Sequence, residues 1–341
     1  MKLKWIIKIS VGIGISGAAI ALATRRLHFA NIWPVLRHSN PGFVAAAVAL
    51  LLTAFVLRAL RWYLILRKAD SRPAFSCVVQ ALFAGFAINN LLPLRAGDLV
   101  RALAFPEKLG SGRAVLLGSL VFERVLDLLS LLAIGMVVLS SSSLPPGLRA
   151  AQVTFVSVAG AGVVGILAVL VFVEPLRKLM LRVVSALPCR ESLRDKLTRT
   201  GLVLMDFVAA LGPRSAAELG VLSAIIWLVE GAVYLCAALA VSSPNVALGP
   251  WLAMVLANFS MLIPSAPGYV GTFHVSASAG LIATGVDPNR AGGFAILVHA
   301  VLWIPITAIG LACFAALRSR KRRSSAEFSA LKLKKLASLE V

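Results

Sequence analysis

The chain alternates long apolar runs with short polar stretches, and the length of each run limits what it can form. A bilayer span needs about 20 consecutive apolar residues. Six runs meet that length: Trp5 to Ala23, Phe43 to Leu66, Ala114 to Leu139, Val153 to Val173, Leu219 to Val241 and Gly293 to Leu317. Two further apolar segments are interrupted. The first carries Asn89, Asn90, Pro93, Gly97 and Asp98, the second Asn258, Pro264, Pro267, Gly268 and Gly271. In each, a Pro is followed by a Gly one helical turn later. A break at bilayer depth frees backbone N–H and C=O groups that lipid cannot satisfy, so such a segment is buried in protein or lines a wet cavity. Two breaks in corresponding places predict a midplane substrate site between two repeats.

The local signals on either side of each break predict helical hairpins. The first entering arm runs from Phe75 to Leu92 and stops at Pro93. Asp98 is placed to cap a short returning helix from Leu99 to Phe105, ended by Pro106 and the cluster Gly110-Ser111-Gly112. In the second hairpin Trp251 to Ile263 enters, and Thr272 is placed to cap the arm from Phe273 to Thr284. Both returning arms aim their N-termini, with free N–H groups and partial positive charge, at the centre of the protein.

Composition agrees with this class. Of 341 residues, 59% are hydrophobic and 14% charged, and the mean hydropathy is +0.91, which excludes an ordinary soluble domain. The fold class expected is an all-α polytopic membrane protein of about six full spans plus two re-entrant hairpins. The net charge of +20 changes the picture only through its sorting. With the N-terminus inside, Arg25, Arg26, Arg37, Arg149 and Arg290 fall outside, Arg124 falls in a span, and the remaining Lys and Arg fall on the cytoplasmic side. This asymmetry makes both termini cytoplasmic and accounts for the basic charge without nucleic acid. The topology then closes if each hairpin enters and leaves on one side, the first from the cytoplasm and the second from outside. That is an inverted pair: repeat halves of about 1–139 and 153–317, joined by Ser140 to Gly147, in one integral-membrane domain of residues 1–317.

Three segments lie outside this scheme of spans and hairpins or at its ends. Met1 to Ala23 has Lys2, Lys4, Lys8, an apolar run and Ala21-Leu22-Ala23; it is read as an uncleaved first span, against a signal peptide. Residues 174–214 are rich in Lys and Arg, with Leu176, Leu179, Met180, Val183, Val184 and Leu187 at helical spacing. They are expected to form an amphipathic cytoplasmic helix on the inner leaflet. The tail, 318–341, opens with Arg318, Arg320, Lys321, Arg322 and Arg323, a stop-transfer anchor or a sensor of anionic lipid. Gly12, Gly14 and Gly17 match G-x-G-x-x-G, but no strand precedes them, so they are helix-packing residues. Cys77, Cys189, Cys236 and Cys313 show no paired spacing, and neither a disulfide, a metal site nor a cofactor is expected.

Ionisable groups at bilayer depth are costly and mark interiors or paths. Glu123 and Asp127 share one helix face with Arg124 in reach, as a structural ion pair or as carboxylates that trade partners when a substrate phosphate passes. Arg95 and Arg101 flank the first break beside Asp98 and make either an anion cradle or loop anchors of the positive-inside kind. Glu230 sits deep in the fifth span, His274 just past the second break, and His299 in the last span. His274 and His299 are relays or hydrogen-bonding interior residues. Tyr269 is a candidate contact beside Asn89, Asn90 and Asn258.

The ordered strings Asn89-Asn90-Leu91-Leu92-Pro93-Leu94-Arg95-Ala96-Gly97-Asp98-Leu99-Val100-Arg101, then Glu123-Arg124 with Asp127, then Pro264-Ser265-Ala266-Pro267-Gly268-Tyr269-Val270-Gly271 resemble the flippase-like family, also called the lysylphosphatidylglycerol synthase transmembrane region. The resemblance covers nearly the whole chain. In multiple peptide resistance factors such a region is fused to an aminoacyl-transferase domain and moves aminoacylated lipid between leaflets. The resemblance implies the same fold and a lipid-related role in a bacterial inner membrane. The short basic segment after Leu317 is too small for that transferase, so the lipid is expected to differ. The function expected is translocation of a polar or anionic lipid, its headgroup anionic or amphoteric, with a phospholipid, a glycolipid and a hopanoid as the options. No G-x-x-x-x-G-K-[ST] is present, so movement is expected to be downhill or ion-coupled, with Glu123, Asp127, Glu230 and His274 the groups to titrate. An accessory subunit of a lipid-synthesis enzyme is the alternative. An intramembrane enzyme is disfavoured by the absence of H-E-x-x-H, D-x-D and G-x-S-x-G.

Overall fold

The computed structural model describes residues 29–69, 71–92, 96–140, 172–188, 190–243, 247–262 and 265–337, with isolated helical residues between 153 and 168; side chains are described except at 29–31 and 318–337. Among the described residues the protein is helical and has no strand. The spans expected at Trp5 to Ala23 and Val153 to Val173 lie outside or largely outside them. Three of the described helices are long and apolar enough to cross a membrane: α2 (Pro41–Lys68), α8 (Glu191–Ala240) and α11 (Pro288–Ala337) over its part Pro288–Leu317.

Two of the long helices start where their sequence dictates. Asn40 caps α2, its side chain accepting from Gly42 N–H at 2.9 Å, with Pro41 in the first turn and Arg67 and Lys68 in the last. Asp287 accepts from the backbone N–H groups of Asn289 and Arg290 at 3.0 and 3.1 Å and so starts α11. The inner face of α2 buries Ala47, Leu51, Phe55, Trp62 and Leu66, while Val56, Leu60 and Leu64 face outward. On α8, Val221, Ile225 and Leu228 face outward too. Helices apolar on both faces suit a lipid surround rather than water.

Four packed pairs build the molecule. α2 lies along α8, and α6 (Arg113–Leu139) leans on both, tied by a hydrogen bond from Trp62 Nε1 to Ser119 Oγ at 3.0 Å. α3 (Phe75–Leu91) lies along α11. α3 also folds back on α4 (Ala96–Leu103), and α9 (Gly249–Ser260) folds back on α10 (Thr272–Ile282). Glycines set these antiparallel crossings. A Cβ on Gly97 would lie 1.8 Å from Gly85 O, and one on Gly280 would lie 2.3 Å from Ala253 N. Short α1 (Phe29–Arg37), which the hydropathy pattern does not predict, seats Val35 against Gly293 of α11.

Several expectations are corrected here. Gly97 is not a break: it lies within α4, which starts at Ala96, and serves close packing. Asp98 accordingly sits in the first turn of α4 instead of capping it, and α4 ends at Leu103, before the separate turn α5 (Pro106–Leu109). The N-cap of α10 is Gly271, one residue before Thr272. The 174–214 segment is two helices: α7 (Val173–Ala186) turns back onto the start of α8 through an Arg177–Asp206 ion pair, and Gly201 admits Met180 between them. α8 then kinks at Gly212, φ 59 and ψ 165, before Pro213. Arg58 and Arg61, assigned to the cytoplasmic side by charge sorting, are buried in α2.

Candidate functional site

Helical periodicity brings the ionisable residues to one place. Arg58 and Arg61 are one turn apart on α2; Glu123 and Asp127 are one turn apart on α6; Ser223, Trp227 and Glu230 follow one stripe of α8. Where these faces meet, Arg58 Nη1 donates to Glu230 Oε2 at 2.9 Å, its guanidinium 5.3 Å from the Phe55 ring centre and 5.4 Å from that of Trp227. Arg61 Nη1 donates to Asp127 Oδ1 at 2.7 Å and to Ser223 Oγ at 2.6 Å, and Trp227 Nε1 donates to the same Asp127 oxygen at 3.0 Å. From the first hairpin, Arg101 Nη2 donates to Glu123 Oε1 at 3.0 Å while its guanidinium stacks 4.3 Å from the Trp62 ring centre.

Arg124 joins these groups. Its Nη2 lies 3.2 Å from Glu123 Oε1 and 3.4 Å from Asp98 Oδ1, and its Nη1 lies 3.5 Å from Asp127 Oδ2. The cluster therefore holds Arg58, Arg61, Arg101 and Arg124 against Asp98, Glu123, Asp127 and Glu230, and is neutral as a whole. Neutrality is what lets it be buried, since an unpaired ion in low dielectric carries a penalty of several kcal/mol or more. The Arg61 and Arg101 side chains are fully buried, whereas Arg124 is 33% exposed and opens onto a cavity.

That cavity has a volume of about 130 Å³, room for on the order of ten waters. The tips of both hairpins contribute to its wall: Asn89, Asn90 and Asp98 from the first, Asn258, Gly268 and Tyr269 from the second. Asn89 Nδ2 donates to Asp98 Oδ1 at 3.1 Å, and Asn90 Nδ2 to Thr307 Oγ1 at 2.9 Å, which fixes the first tip to α11. The second tip is a tight turn, Pro267–Tyr269, with φ of 71° at Gly268 and 57° at Tyr269. Gly268 and Gly271, at φ 91, supply the left-handed backbone that side chains disfavour. α11 holds this tip: His299 Nε2–H donates to Gly268 O at 2.9 Å, and a Cβ on Gly268 would lie 3.1 Å from Trp303 Nε1.

The residues singled out in the sequence distribute as follows. Arg124, Asp127 and Glu230 line the cavity with the tip residues just named. Glu123 lies behind them, bonded to Arg101 and Arg124. Arg101 does not cradle a ligand: it is fully buried and committed to Glu123 and Trp62. His299, rather than His274, is on the cavity wall; His274 stands with its ring centre 4.6 Å from that of His299 and accepts from Gly271 N–H at 3.3 Å, which starts α10. Pro267 opens the second tip. Pro93, Arg95 and Pro264 lie outside the described residues. Sequence reasoning missed Arg58, Arg61, Trp227 and Trp303. The signal for the arginines was their place inside the run Phe43 to Leu66, on the face carrying Leu51 and Phe55. Among the described residues no three His, Cys, Asp or Glu converge as metal ligands.

Comparison with known proteins agrees with this architecture. The family profile described as the lysylphosphatidylglycerol synthase TM region matches residues 9–310. Glycosyltransferase AglD of Haloferax volcanii is 30% identical over 325 residues, covering 86% of this chain and 52% of that protein. The chain thus spans about half the length of the curated relative it matches.

Proposed function

The chain belongs to the lysylphosphatidylglycerol synthase TM region family and is a multi-pass membrane protein, and from that premise we propose that it is a lipid translocase whose headgroup site is the cavity between the two hairpin tips. One observation carries this reading. In a helical body with apolar outward faces, a cavity of mixed apolar and polar lining is walled in part by two hairpin tips and by a charge cluster whose most exposed member, Arg124, has three alternative carboxylates within 3.5 Å. A headgroup that hydrogen-bonds to Arg124 and Asp98 bridges α6 and the first hairpin, and Arg124 keeps a carboxylate partner throughout. Acyl tails stay in lipid while the headgroup crosses. Rocking of one helix set against the other then exposes the site to each leaflet in turn. The setting we assign is a bacterial-type inner membrane with both termini cytoplasmic.

Purified protein in proteoliposomes with acyl-labelled lipids and a membrane-impermeant quencher tests this. Wild type is expected to expose inner-leaflet label to the quencher, and Arg124→Gln and Asp98→Asn to slow that exposure by about tenfold or more while remaining folded. Folded variants that move lipid at the wild-type rate overturn the site. A second reading, an accessory membrane subunit of a glycolipid-synthesis step, is favoured by the curated relative's name. Its mark is wild-type protein that moves no lipid yet co-purifies with a synthase.

A further inference from the structure

Resting on the reading that this cavity receives a lipid headgroup, we propose that the headgroup is uncharged and polyhydroxylated: a glycosyl lipid rather than a phospholipid. The ionic groups on the described cavity wall are Arg58 and Arg124 against Asp98, Asp127 and Glu230, and Arg61, bonded to Asp127 from behind, balances them. Both guanidinium groups are already engaged, Arg58 by Glu230 and Arg124 by Asp98, Glu123 and Asp127. A phosphate entering here has to draw an arginine from its partners and leaves a carboxylate unpaired. An ammonium has to draw a carboxylate away and lies close to two guanidiniums. Hydroxyl groups do neither. They donate to the spare lone pairs of paired carboxylates and accept from the spare N–H groups of paired guanidiniums, leaving every ion pair standing.

The neutral wall points the same way. Asn89, Asn90 and Asn258 present amides, and the described side-chain bonds of Asn90 and Asn258 are one each, to Thr307 Oγ1 and Met254 O. An amide can make four bonds, two given and two accepted, a match to the mixed donor and acceptor pattern of a sugar ring. Trp227, Trp303 and Tyr269 add aromatic rings, which suit the C–H face of a pyranose, and Trp227 keeps its Nε1–H on Asp127. Tyr269 is held there at φ 57, a conformation rare outside glycine that persists where the surroundings fix it and that clusters at ligand contacts. Room for on the order of ten waters is room for a sugar ring.

The 341-residue chain is reconstituted with two acyl-labelled lipids of matched chains, a monoglucosyl diacylglycerol and phosphatidylglycerol. Movement is read by the impermeant quencher, and retention of the same lipids by native mass spectrometry. The glucosyl lipid is expected to move at least tenfold faster and to be the one retained, and Asn258→Ala to lose both properties; Tyr269→Phe replaces it if Asn258→Ala does not fold. Phosphatidylglycerol moving equally fast or faster overturns the ligand class and leaves the translocase standing. If neither lipid moves, the translocase reading fails and retention decides the ligand: selective retention of the glucosyl lipid, lost in the variant, sustains the inference, and any other retention pattern overturns it.

Discussion

At the scale of single residues, the two questions are what a buried charge costs and what a methyl group costs. Arg58 and Glu230 are each other's described ionic partner, with side chains 7% and 10% exposed. Removing one leaves the other uncompensated, so Arg58→Met and Glu230→Leu are each expected to destabilise by about 3–5 kcal/mol, while the double variant returns to within about 1 kcal/mol of wild type. Thermal unfolding in detergent measures this, and additive single effects would remove the pair from the account. The helix crossings give the second test. Gly→Ala inside a helix normally gains about 1 kcal/mol, which is the expectation for Gly220→Ala, where a Cβ meets nothing within 4 Å. At Gly97 and Gly280 the new Cβ meets backbone at 1.8 and 2.3 Å, and overpacking of about 1–3 kcal/mol or more wins. The acids Glu123, Asp127 and Glu230 were legible in the sequence because each interrupts an apolar run. Arg58 and Arg61 were not, because an arginine in the second half of a run looks the same whether it snorkels to the surface or turns inward to an acid.

At the scale of elements, apolar length and breakers located α2, α6 and both hairpins, but chemistry at the breaks set where each helix begins. Asp98 looked like a cap because it precedes an apolar stretch; the Gly85–Gly97 contact instead lets α4 begin earlier and turns the Asp98 carboxylate to Asn89 and Arg124. The 174–214 segment looked continuous because its periodicity is. Its break falls near Leu187-Pro188, and the partner needed to bury Val184 is the start of α8, which lies later in the chain. The kink of α8 is the element most open to test. Gly212 at φ 59 and ψ 165 occupies a region nearly closed to other residues, so Gly212→Ala is expected to cost about 1–3 kcal/mol. Because the kink lies between the α7-packed part of α8 and its apolar part, the loss should come as faster proteolysis of the 173–211 hairpin, with the membrane-embedded helices still protected. Uniform proteolysis of the whole chain would contradict this.

At the scale of the whole molecule, the two halves interlock instead of standing side by side. α2, from the first half, packs on α8 from the second; α3, from the first, packs on α11 from the second; and α11 also clamps the tip of the second hairpin through His299 and Trp303. α11 therefore touches both tips, and the first tip is tied to it by the single hydrogen bond from Asn90 to Thr307 among described side-chain bonds. Opening of the cavity by movement of the tip around Asn90 against α11 has to break or carry that bond, whereas movement of α2 against α8 has to break the Arg58–Glu230 and Arg61–Ser223 contacts, and movement of α4 against α6 the Arg101–Glu123 pair, all buried and charge-assisted. The tip, held by the weaker tie, is the moving part. In protein with its native cysteines replaced, joining Asn90→Cys to Thr307→Cys with a short thiol cross-linker is expected to stop lipid movement, and cleavage of the linker to restore it. A cross-link between cysteines placed at Ala47 on α2 and a facing position of α8 should leave movement intact. The reverse pattern would shift the hinge to the α2–α8 seam and make the charge cluster the moving contact.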